Sequence, residues 1–118
     1  MSDSGFHEGR YYTAYVEVVE DLKRQNDLDE AEKLLLSLVV ATEAESRAKN
    51  WGVAPWYSEQ LAIIYRQKQE PGEELAILER FSKQQHAPGA KPAKLLERLN
   101  KVRAELASDR VAALDKTR

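Results

Sequence analysis

The stretch Trp56-Tyr57-Ser58-Glu59-Gln60-Leu61-Ala62-Ile63-Ile64-Tyr65-Arg66, a polar break, and then Glu73-Glu74-Leu75-Ala76-Ile77-Leu78-Glu79-Arg80-Phe81 decides the fold. Tyr57, Leu61, Ile64, Tyr65 and Lys68 recur at helical spacing, as do Leu75, Leu78 and Phe81. Between them, Glu70-Pro71-Gly72 stops one helix and starts another. Proline suits a first helical turn, where the N–H it lacks would have no intrahelical partner. Two short antiparallel helices, each apolar along one side, cannot bury those sides alone. The pair must therefore stack on neighbours, which predicts an all-α chain of stacked antiparallel hairpins, about five helices with the last as a cap.

Working back toward the N-terminus, residues 1–8 read as a flexible tail. A first helix is expected from about Gly9 to Gln25, with Tyr11, Tyr15, Val18 and Leu22 as its core stripe. Tyr12, Val16 and Val19 lie beside that stripe, and Glu20–Arg24 form an i, i+4 ion pair. A strand over Tyr15–Val19 competes, since Val and Tyr favour strands. Asp27, with Glu30 three residues on, has the pattern of a capping box. The second helix should run to about Asn50, apolar nearly all round over residues 34–40 and therefore packed on several sides. Its end carries Glu43–Arg47 and Glu45–Lys49 at i, i+4. Pro55, Pro71 and Pro92 open helices three, four and five. Leu95, Leu99, Val102 and Leu106 line one side of the fifth, so one domain covers 9–114 and residues 115–118 fray.

The chain has 118 residues, enough for one core. It has no Cys, which removes disulfides, thiolate metal sites and cysteine nucleophiles. The longest apolar run is far too short to span a bilayer, and the N-terminus is polar and acidic rather than signal-like. A soluble, cytoplasmic protein is expected. The net charge of −2 is unevenly spread, with residues 1–90 at −6 and residues 91–118 at +4.

Shifted by 43 positions, the two helix pairs agree: Val18, Val19 and Leu22 fall on Leu61, Ala62 and Tyr65, and Leu34 falls on Ile77. Asp27-Leu28-Asp29-Glu30-Ala31 falls on Glu70-Pro71-Gly72-Glu73-Glu74. Leu61-Ala62 followed by Tyr65, a short turn, Asp29-Glu30-Ala31 in the first copy, and an aliphatic second helix ending near Phe81 resemble the tetratricopeptide repeat (TPR) family over roughly residues 12–82. The family period is about 34 residues, so the extra length must enter an elongated second helix and its loop. Glu74 and Pro71 also replace the small and aromatic residues expected at those turns.

The resemblance implies a binding scaffold or adaptor. In that family the first helix of each pair lines a groove that holds a partner polypeptide. The matching positions are Val16, Glu20, Lys23 and Arg24, then Trp56, Glu59, Ile63 and Arg66. Independently of the family, Trp56 and Ile63 lie i, i+7 apart on a stripe distinct from Leu61/Ile64/Tyr65, flanked by Glu59 and Arg66, as in an aromatic hot spot framed by charge. Both could instead be core. The chaperone-binding branch clamps a C-terminal carboxylate with a Lys and an Asn one turn apart; Val16 and Glu20, then Glu59 and Ile63, occupy those places, so such a tail is not the implied ligand.

Catalysis has little support. His7 and His86 are far apart in sequence, and no phosphate loop, nucleophile elbow or paired-histidine metal motif is present. The runs Asp27/Asp29/Glu30/Glu32 and Glu43/Glu45 read as solvated helix faces. No enzymatic activity, metal, cofactor or small-molecule substrate is expected. The competing class is a nucleic-acid-associated, regulatory or anti-defence protein using Lys91, Lys94, Arg98 and Lys101, a basic stripe on the last helix suited to phosphates. No aromatic is interleaved there for base stacking. A homodimer through Leu95, Leu99, Val102 and Leu106 is the third possibility, since their spacing also fits a helix-to-helix seam.

Overall fold

A computed structural model describes residues 4–116, with side-chain environments as far as Arg110. It is all-α, with five helices: α1 (Val16–Arg24), α2 (Leu28–Lys49), α3 (Pro55–Gln67), α4 (Pro71–Ser82) and α5 (Ala90–Lys116). None of these is long and apolar enough to cross a membrane. The prolines open α3 and α4, and Pro92 lies within the first turn of α5. Asn50, in the left-handed region at φ 57°, ends α2.

The turn between α1 and α2 and the turn between α3 and α4 repeat each other bond for bond. Asp27 N–H donates to Leu22 O at 2.8 Å and Glu70 N–H to Tyr65 O at 2.8 Å; Asn26 N–H donates to Lys23 O at 3.0 Å and Gln69 N–H to Arg66 O at 3.1 Å. Asn26 and Gln69 share a positive φ, 57° and 59°. The 43-residue shift is thus present in the backbone, and the surplus length sits in α2, 22 residues against 12 in α4. Asp27 makes no side-chain cap, so the expected capping box is not formed. The two turns lie together, and Lys68 pairs with Asp29 and Glu32 of α2, both at 2.7 Å.

The N-terminal segment departs from expectation. Residues Phe6–His7 (β1) and Arg10–Tyr11 (β2) form a small antiparallel hairpin, the first strand where a loose tail was expected and the second where the first helix was expected to begin. Its loop residues Glu8 and Gly9 both have positive φ, 50° and 81°, the signature of a tight two-residue hairpin turn. A 3-10 turn over Tyr12–Tyr15 follows, so the α-helix begins at Val16 rather than Gly9, and the competing strand at 15–19 is absent. The buried residues here are accordingly Tyr15 of the 3-10 turn and Val19 of α1, with Val18 left 41% exposed. Arg24 pairs with Asp21, not Glu20.

The core runs from Tyr15 and Val19 through Leu35, Leu38 and Val39 of α2, Leu61 and Ile64 of α3, Leu78 and Phe81 of α4, to Leu95, Leu99 and Val102 of α5. Those α5 residues are buried against their own chain, with Leu106 packed beside them, so the face offered for a homodimer seam is already occupied.

Three carboxylates read as solvent-facing or as simple departures from the repeat lie inside. Glu43 accepts two bonds from Arg80, at 2.8 and 2.7 Å, not from Arg47. Glu45, 1% exposed, accepts from the Tyr11 and Tyr12 hydroxyls, the latter at 3.1 Å, which ties the hairpin to α2. Lys49 instead sits 4.6 Å over the Trp51 ring. Glu74 is the third. A buried carboxylate must find donors, and each of the three has at least one that is distant in sequence.

Candidate functional site: the cleft between α3 and α5

α5 runs alongside α3 in the same sense. Near its start Lys91 Nζ donates to Glu59 Oε1 at 2.9 Å, and further on Arg66 Nη2 donates to Glu105 Oε2 at 2.9 Å. Between these bridges opens a cleft of about 420 Å³ lined by Glu59, Arg66, Lys94, Leu95, Glu97, Arg98 and Lys101. It unites two of the eight residues of the expected groove, Glu59 and Arg66, with three of the four of the basic stripe, Lys94, Arg98 and Lys101.

Glu74, near the start of α4, holds two of the lining arginines. Arg66 Nε donates to both Glu74 oxygens at 3.2 Å, and Arg98 Nε donates to Oε2 at 3.0 Å. The carboxylate is 2% exposed, while the Arg66 and Arg98 side chains keep 46% and 27% of their surface in water. The hydrogen bonds that Arg66 donates to Glu74, then to Glu105, raise its pKa above its ordinary value. Two guanidiniums are therefore held in place at the cleft rather than free to sweep through solvent. Lys94 and Lys101 are exposed, and among the described residues neither has a hydrogen-bonding or ion-pairing partner.

The remaining expected groove residues lie elsewhere. Val16 packs against the core, Lys23 is bonded to Gln60, Arg24 is paired with Asp21, and Glu20 is exposed on α1. Trp56 is half-buried, packs on the core and meets Tyr57 edge-on at 5.0 Å, so it is a packing residue more than an open anchor. Ile63 is half-buried. Lys91 flanks the cleft, engaged by Glu59.

The sequence reading missed Glu74 and Glu105. A signal for Glu74 existed: it falls on Ala31, a fully buried position in the other repeat, and a carboxylate there demands cationic partners. Glu105 carried none, being one acidic residue among several on α5. Among the described residues no three of His, Asp or Glu converge to hold a metal ion. A second cleft of about 370 Å³ lies between the hairpin, α1 and α2, where Val18, Leu22 and Leu34 meet His7, Glu8, Glu30 and Lys33.

No family model, curated protein or solved structure matches this chain.

Proposed function

We propose that this protein is a non-enzymatic interaction module of the cytoplasm that holds a segment of a partner polypeptide against the cleft between α3 and α5. One observation carries the reading: two immobilised arginines, and two lysines unengaged among the described residues, face an open recess between adjacent helices. Binding sites gain affinity when their polar groups are ordered beforehand, because less side-chain entropy is lost on association. The likeness to tetratricopeptide repeats belongs to the same proposal, supported by the duplicated turns and by the place of α3 as first helix of its pair. A phosphate-binding role for the whole stripe is less well supported, since Lys91 and Arg98 are already engaged by Glu59 and Glu74.

The test is selection from a random peptide display library, followed by binding to Glu97→Trp, which fills the cleft from an exposed position whatever the charge of the peptide. Peptides enriched on the native protein should lose binding to the filled variant while its helical circular dichroism stays unchanged. Failure to enrich any peptide, or equal binding to the filled variant, overturns the proposal.

A further inference from the structure

We infer that the segment taken by this cleft is helical and acidic, with two carboxylate side chains two turns apart that meet Lys94 and Lys101. The inference rests on the module reading above and adds the chemistry of the ligand.

Most charges at the cleft cancel within the protein: Lys91 is engaged by Glu59, and Arg66 and Arg98 are engaged by Glu74 and Glu105. What remains unengaged among the described residues is Lys94, Lys101 and, between them, Glu97. Lys94 and Lys101 are seven residues apart on α5, about 10.5 Å along the axis and nearly on one face. A ligand helix with acidic residues at i and i+7 reproduces that spacing. An extended strand, whose same-side residues recur about every 6.6 Å, meets one lysine and overshoots or undershoots the other. A polyproline strand comes closer, at about 9.3 Å for three residues. A duplex strand carries one phosphate per about 3.4 Å of axis, and so would set charges against Glu97 as well as the lysines.

The experiment uses the full chain and four labelled probes: an alanine-based helical peptide with Glu at i and i+7, the same peptide with Glu at i and i+5 on diverging faces, a proline-rich peptide with Glu at i and i+3, and oligothymidylate. The i, i+7 peptide should bind best at low salt, and the i, i+5 peptide, which keeps only one of the two pairs, about two- to fivefold more weakly, as for a rim charge that contributes modestly. Joint Lys94→Glu and Lys101→Glu should abolish binding, and a peptide with Lys at i and i+7 should bind that variant. Equal binding of the i, i+5 peptide, preference for the proline-rich peptide, or tighter binding of oligothymidylate overturns the inference. If library selection yields neutral or basic peptides that Glu97→Trp blocks, the module reading survives and this one falls; if no peptide binds at all, both fall.

Discussion

Replacing Glu74 by Gln probes both the fold and the cleft. The change keeps shape and one acceptor but removes the charge and turns an amide toward a guanidinium. Hydrogen bonds to charged groups contribute roughly 1.5–3 kcal/mol each. Arg66 is 46% exposed and Arg98 27% exposed, so both cations recover part of their hydration when the carboxylate is lost. We therefore expect a total loss of about 2–3 kcal/mol, below the roughly 3–5 kcal/mol of a fully buried broken pair. Near this size about 4 °C of Tm accompanies each kcal/mol, giving a fall of roughly 8–12 °C. Urea unfolding followed by circular dichroism measures the loss, and a double-mutant cycle with Arg98→Gln should give a coupling of about 1–2 kcal/mol. Because Glu74 is 2% exposed, added salt should change the coupling little. A loss below about 0.5 kcal/mol with no coupling would show that Glu74 does not hold these arginines, and the preordered cleft would go with it.

Leu61→Ala, at a fully buried position of α3, should cost about 2–5 kcal/mol in chemical denaturation and can unfold so small a domain; a shift within experimental error would place Leu61 outside the core. Gly52→Ala should cost about 1–3 kcal/mol: φ is +96°, and the new methyl would meet the backbone of Ala87 and lie 2.8 Å from the carbonyl carbon of His86, so an unchanged melting curve would exclude that close approach. Burial, then the neighbouring Tyr12, pushes the Tyr57 phenol up to about 12, and burial also raises Tyr11, Tyr12 and Tyr65. A phenol that binds its proton more tightly when folded contributes stability below pH 10 that is lost as pH rises from about 10 toward 12, so alkaline unfolding should set in there. Titration of tyrosinate absorbance alongside circular dichroism checks the sign, and tyrosines ionising at their ordinary pKa without unfolding would contradict it.

The five helices were legible because their apolar spacing, Pro55 and Pro71 all speak locally, and each signal agrees with the next. The duplicated turn was legible for the same reason: Leu22 and Tyr65 accept the corresponding bonds 43 positions apart. The hairpin was not, since Tyr11, Tyr12 and Tyr15 fit a helical stripe as readily as a pair of short strands followed by a 3-10 turn. What settled it was Glu45, 33 and 34 positions away, whose buried carboxylate takes the hydroxyls of Tyr12 and Tyr11. The cleft divides similarly. Its charged residues other than Glu97 were visible, sorted into two rival sites, and only the packing of α5 beside α3 put Glu59 and Arg66 across from Lys94 and Lys101. Periodicity and turn chemistry are short-range properties that a chain carries before it folds. Which carboxylates are buried, and which cations they immobilise, depends on desolvation by elements remote in sequence, and that the tertiary structure alone decides.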